Sequence, residues 1–216
     1  MKIIYIVGGN GFARECYNIL KGLQNFNKEL KFGGFLGHNG YGHTVDYKEY
    51  QKFYKGEFLK HKLENNDYFI IGAGYPDLRK KIYFDLKKFD VKFYTLKGAD
   101  VVFSETFEYG EANIFVPPFH PSINIQIGNC NVFNGGDIVI GHDTKIGNFN
   151  FFGPSSKVLG SVIVGDSNMI GTASVLLPKV KIGNNNKIAP LSAVYKGCKD
   201  NCYMLGNPAL KVGEME

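Results

Sequence analysis

From Phe103 onward an aliphatic or aromatic residue returns every six residues, a rhythm that fits neither a helix nor ordinary alternating strands. The register runs Phe103, Tyr109, Phe115, Pro121, Ile127 and Phe133, then Ile140, Ile146, Phe152, Val158, Val164, Ile170, Leu176, Ile182, Ile188 and Val194. A single step, from Phe133 to Ile140, is seven residues long. Glycine often follows the apolar residue, as in Ile127-Gly128, Ile140-Gly141, Ile146-Gly147 and Ile182-Gly183. Such a chain closes into a triangular prism in which each hexad supplies one short strand and one turn, and three hexads complete a coil. The apolar first positions stack inside, while Gly, Asn and Asp take the sharp dihedrals at the corners. Sixteen hexads make roughly five coils, enough for neighbour stacking to hold the unit together. A β-sandwich would need longer strands and irregular turn spacing.

Residues 1–98 follow a different grammar, with short apolar runs alternating with helix-like segments, as in an α/β domain with a small parallel sheet. Strands are expected at Lys2–Val7, Gly33–Leu36, Asp67–Ile71 and Val91–Leu96, and helices at Ala13–Leu23 and Asp77–Phe89. The β-helix is expected over 99–216, with a short C-terminal tail.

The net charge of +5 comes from scattered Lys and Arg rather than a basic stripe, so nothing singles out nucleic acid as a partner. Cys16, Cys130, Cys198 and Cys202 have no zinc-type spacing and no secretion signal stands before them, which reads as reduced thiols in a soluble, cytoplasmic protein. No apolar run approaches membrane-spanning length.

Three segments carry a resemblance: Ile3-Ile4-Tyr5-Ile6-Val7-Gly8-Gly9-Asn10-Gly11-Phe12-Ala13-Arg14-Glu15, Ile140-Gly141-His142-Asp143 and Leu205-Gly206-Asn207-Pro208-Ala209. With the hexad array, they make the chain similar to hexapeptide-repeat transferases, and more narrowly to the NeuD/PglD-type sugar acyltransferases. That resemblance implies a Rossmann-like domain joined to a left-handed β-helix. It also implies acetyl-CoA as co-substrate, no metal, a nucleotide-linked sugar as acceptor, and a homotrimer with shared active sites. The role it implies is acetylation of a sugar amine in bacterial surface-glycan biosynthesis. His142 matches the general base, and an imidazole suits the task because its pKa lies near working pH. Asp143 or another nearby carboxylate would hold the ring. The amine would attack the thioester directly, without an acyl-enzyme.

The same resemblance places the nucleotide-sugar at the strand-to-helix turn of Asn10, Gly11 and Phe12, where backbone N–H groups and the helix dipole face an anion. Gly37, His38, Gly72 and Arg79 would complete that pocket, although Arg79 has an equal alternative in pairing with an acidic neighbour on its helix. Gly160, Ile170, Gly171, Ala189 and Pro190 would line the pantetheine channel, with a backbone N–H near Gly160 facing the thioester oxyanion. The chain departs from its relatives at three places. Phe151 stands where some carry a second, cofactor-contacting histidine. Gly37-His38 replaces acidic residues, and the extra residue before Ile140 implies a bulge that re-aims the turn at His142.

Other readings stay open. O-acetylation of a sugar or sialic-acid hydroxyl would use the same framework, and a non-catalytic assembly or ligand-sensing module would use only the fold. A β-helical zinc hydratase would need three converging histidines, and the repeats hold only His120 and His142.

Overall fold

The computed structural model describes residues 1–42 and 44–215, so His43 and Glu216 lie outside the described residues. The chain forms two compact units, Met1–Gly74 with Leu78–Ala99, and Asp100–Glu216 with Tyr75–Asp77.

The first unit is built on a parallel five-stranded sheet. In chain order the elements are β1 (Lys2–Val7), α1 (Gly11–Phe26), β2 (Leu30–Gly37), α2 (Lys48–Gln51), β3 (Tyr54–Glu57), β4 (Asp67–Ile71), α3 (Pro76–Lys87) and β5 (Lys92–Phe93). The sheet order is β3-β2-β1-β4-β5, so the winding reverses between β1 and β4. Ile4, Ile6 and Val7 of β1 are buried, as a central parallel strand covered on both faces requires. Helix α1 buries Ala13, Cys16 and Leu20, a stripe at helical spacing. The expected strand over Val91–Leu96 is divided into Lys92–Phe93 and Leu96–Lys97, and only the first of these joins the five-stranded sheet.

The second unit is a parallel β-helix with three faces. The first face stacks Phe107–Tyr109, Ile125–Ile127, Lys145–Ile146, Ile163–Val164 and Lys181–Ile182. The second runs from Ile114–Val116 through Val132–Asn134, Phe151–Phe152, Met169–Ile170 and Lys187–Ile188 to Cys202–Gly206. The third stacks Phe119–Pro121, Ile138–Ile140, Lys157–Val158, Val175–Leu176 and Ala193–Val194. An antiparallel hairpin of Cys202–Gly206 and Ala209–Glu214 ends the stack.

From Asp137 to Leu191 every sixth residue is a non-glycine with φ between 53° and 66°. A left-handed conformation costs an L-residue about 1–2 kcal/mol, so each corner is held by the coils stacked on it rather than by local preference. The seventh residue of the long step is absorbed at one such corner, where Gly135, Gly136 and Asp137 have φ of 72°, 66° and 64°. Strand Ile138–Ile140 then pairs in register with Phe119–Pro121, and Val139–Ile140 with Lys157–Val158. The expected re-aiming of the turn at His142 is therefore absent: two glycines confine the bulge to the preceding corner.

Inside the prism Phe115, Phe133 and Phe152 stack face to face, with centroids 5.2 and 4.8 Å apart and planes within 8°. Ile170 and Ile188 continue the column. Tyr109, expected inside, is 45% exposed. It lies at the end of the first strand of the first face, its ring edge-on to Phe103 and Phe115.

Two side-chain ladders climb the corner between the first and second faces. In one, Asn131, Asn150, Asn168 and Asn186 each donate a backbone N–H to the amide oxygen of the buried asparagine one coil below. In the other, Asn148, Asp166, Asn184 and Asp200 each accept a backbone N–H from the coil below. Replacing Asn150 with alanine is expected to cost about 1–3 kcal/mol, because the Asn168 N–H and the Gly165 carbonyl both lose a buried partner. Urea denaturation would show this as a lower midpoint at unchanged slope.

Candidate active site

His142 occupies the corner that leads from the third face to the first. Its Nδ1 lies 2.7 Å from Asp143 Oδ2, and Asp143 Oδ1 accepts a second hydrogen bond from Asn124 Nδ2 at 3.1 Å. The bond from His142, and then that from Asn124, hold the Asp143 carboxyl below the usual carboxylate range, so it is ionised and only accepts. An acceptor-only carboxylate fits a proton on His142 Nδ1, the neutral tautomer that leaves the Nε2 lone pair free. Asp143 is the left-handed residue of its turn, with φ 57°, which brings adjacent residues of a sharp corner into contact through their side chains. The imidazole is 60% exposed, open to a substrate from solvent.

Gly160 lies one coil further on at the same corner. A Cβ there would sit 2.6 Å from His142 Nε2 and 2.8 Å from Cε1, so the ring rests against a bare α-carbon. Gly160 has no positive φ and tolerates a side chain on backbone grounds. Gly160→Ala is thus expected to keep the fold while displacing the imidazole, lowering kcat by roughly 10–100-fold at unchanged thermal midpoint. The Gly160 N–H makes no backbone hydrogen bond among the described residues.

The other channel residues separate. Gly171, Ala189 and Pro190 share a corner, but it joins the second and third faces, away from the corner of His142. There, small size serves stacking, since a Cβ on Gly171 would lie 2.5 Å from Pro190 N. Ile170 is a correction: it is 0% exposed within the core column, so its side chain meets no ligand. The Ala189 side chain is likewise buried, at 2%. Phe151 is half-buried on the second face, opposite Met169 of the next coil.

In the first unit Asn10 caps α1 without a side-chain bond to the helix, and its residue is exposed beside Gly11 and Phe12. The turns after β1 and β4 meet here: Gly8 has φ 130°, and a Cβ on it would lie 3.0 Å from the Gly72 carbonyl oxygen. Tyr41 Oη donates to that same carbonyl at 3.1 Å. Arg79 is a second correction. It is fully buried, and its Nη1 donates to the carbonyls of Ile71 and Ala73 at 2.6 and 2.8 Å, so it fastens the turn behind Gly72. His38 follows Gly37 at the end of β2 and is only 3% exposed, with Nε2 3.1 Å from Asp85 Oδ2 of α3. Bonds from Lys88 and His38 hold Asp85 down to about 2.

Sequence reasoning overlooked the lysines near the end of the prism. Lys179, Lys181 and Lys199 line an open concavity of about 450 Å³, and Lys196 and Lys211 join Lys199 at a neighbouring one of about 510 Å³. Their signal was a run of Lys in the final hexads, lost in a scattered overall charge. Cys198 and Cys202 are free thiols beside them, and burial followed by the neighbouring Cys202 pushes Cys198 up to about 11. Among the described residues, no helix is long and apolar enough to cross a membrane.

No family model matches the chain, and no curated protein matches it in sequence. Among solved structures it is similar to the acetyltransferase domain of PglB from Neisseria gonorrhoeae FA1090 in complex with acetyl coenzyme A, at TM-score 0.85 and 14% identity over 98% of this chain and 99% of that one. It is also similar to perosamine N-acetyltransferase from Caulobacter crescentus, solved as a histidine-to-asparagine variant with CoA and GDP-perosamine, at TM-score 0.86 and 19% identity over 99% and 98%. WeeI from Acinetobacter baumannii AYE matches at TM-score 0.84 and 21% identity over 98% and 100%. What the chain shares with these proteins is their fold, over nearly its whole length.

Proposed function

We propose that this protein transfers an acetyl group from acetyl-CoA to the amine of a nucleotide-linked sugar, with His142 as general base. The observation that carries the reading is the His142–Asp143 pair, its free Nε2 lying over Gly160 at an open corner, in a fold shared end to end with sugar acetyltransferases. The sugar amine attacks the thioester carbonyl carbon while Nε2 takes its proton, and the N–C bond forms as the carbonyl becomes an oxyanion. The Gly160 N–H is suited to stabilise that oxyanion. The intermediate then collapses, the C–S bond breaks, and the imidazolium returns a proton to the leaving thiolate.

Acetyl-CoA would run along the His142–Gly160 corner towards Lys179, Lys199 and their neighbours, whose charge suits its phosphates. The first unit would act as a Rossmann-like nucleotide-sugar domain. Ligands of open parallel sheets bind outside the carboxyl ends of the strands where the winding reverses, which here is the meeting of Gly8–Asn10 with the Gly72 turn. A homotrimer with shared sites, and a place in surface-glycan biosynthesis, complete the proposal.

The test is a thiol-release assay with acetyl-CoA and a panel of UDP-, GDP- and dTDP-linked 3- and 4-amino sugars. Turnover of one amino sugar is expected. Release with hydroxyl acceptors alone would move the reading to O-acetylation, and coenzyme A binding with no transfer to any acceptor would leave a non-catalytic module.

A further inference from the structure

We infer that Asn124 is a positioning residue of the His142–Asp143 pair, its amide pinning the carboxylate from the coil below so that His142 keeps its proton on Nδ1. The inference rests on the reading of His142 as the base. Asp143 is more than half exposed, and its own corner supplies one partner for one oxygen, His142 Nδ1. The other oxygen is held by Asn124 Nδ2 at 3.1 Å. Asn124 is held in turn: its backbone N–H donates to Thr106 Oγ1 at 2.9 Å, and Thr106 Oγ1 lies 3.4 Å from Ser104 Oγ. The Asp143 N–H adds a tie to the Ile123 carbonyl at 3.1 Å.

Asn124 and Asp143 are the left-handed residues of successive turns at one corner, with φ of 54° and 57°, so their side chains leave the prism stacked on one another. Thr106, Asn124, Asp143, His142 and Gly160 thereby form a single polar column across four coils, ending at the free Nε2. Without the amide, the exposed carboxylate turns on its χ angles and the Nδ1 bond becomes intermittent. The imidazole then reverts towards its preferred solution tautomer, with the proton on Nε2, where it cannot accept one from an amine. A structural ladder alone would leave that tautomer unchanged; the stacked pair Asn185–Asn201, 2.6 Å apart, is of that purely structural kind.

The experiment is ¹⁵N NMR of the histidine-labelled full chain, without substrate, comparing the wild type with Asn124→Gly and Asn124→Asp. Both variants accept the left-handed backbone and both lack the donor. The wild type should show neutral His142 as the Nδ1–H form, and Asn124→Gly should shift it towards Nε2–H. In transfer assays Asn124→Gly should lose roughly tenfold in kcat with KM for acetyl-CoA changed by less than about twofold. Asn124→Asp should displace the ascending limb of the pH–rate profile to higher pH, because a second carboxylate favours the imidazolium. Identical His142 tautomers in wild type and Asn124→Gly would overturn the inference. Because the spectra need no acceptor, that failure is distinct from an absence of turnover, which would instead count against His142 as a transfer base.

Discussion

Replacing His142 with alanine is expected to lower kcat for acetyl transfer by roughly 10²–10⁴-fold, the usual contribution of a positioned general base. An amine reaching the tetrahedral intermediate carries a positive charge until a base removes its proton, and at this corner Nε2 of His142 is the proposed acceptor. Acetyl-CoA binding should change little, because the proposed contacts to its phosphates lie several coils further on, at lysines the substitution does not touch. The loss should therefore fall on kcat rather than on KM for acetyl-CoA, and the ascending limb of the pH–rate profile should disappear with it. Fold is not at stake, since the side chain is 60% exposed and the His142 carbonyl still accepts from the Ser161 N–H. A variant with near wild-type kcat would mean that another group, or solvent, takes the proton.

Replacing Phe133 with alanine should cost about 3–5 kcal/mol of stability, the range for deleting a buried phenyl ring. Phe133 is fully buried and lies between Phe115 and Phe152, with Phe119 a further 5.0 Å neighbour. Truncation opens a void in the middle of a column whose stability passes from coil to coil, so coils on both sides lose a stacking partner. Phe133→Leu refills most of the space and should cost less than half as much. Chemical denaturation of the two variants checks the order. Equal losses would show that the phenyl stack, and not the filled volume, carries the whole effect.

The β-helix was legible because its physics is periodic. Each sixth residue must point inward, so apolar first positions from Phe115 to Val194 announce the prism, and the glycines after them announce its corners. The same periodicity explains the error at Ile170: a first-position residue belongs to the core, and the rule that identified the fold also forbids it a ligand. The ladders were less legible, since Gly128-Asn129-Cys130-Asn131 and its repeats read as turn chemistry, and only stacking shows each amide satisfying the coil beside it. In the first unit the apolar strands were visible, whereas β3, with the sequence Tyr-Lys-Gly-Glu, is a short edge strand without an apolar pattern. Arg79 misled because a charged residue near a glycine turn suggests a ligand. Its burial depends on carbonyls at the end of β4 that no local pattern displays. His142 with Asp143 was readable as a motif, but Asn124 lies eighteen residues away and joins them only because one coil stacks on the next.

The most direct test of the account is the fate of the acetyl group in a single turnover with isotopically labelled acetyl-CoA and an accepted nucleotide-linked amino sugar, followed by mass spectrometry of both protein and sugar. Direct attack assisted by His142 predicts label on the sugar nitrogen and none on the protein at any time. Label held transiently on a protein side chain, or found only on a sugar oxygen, would contradict it.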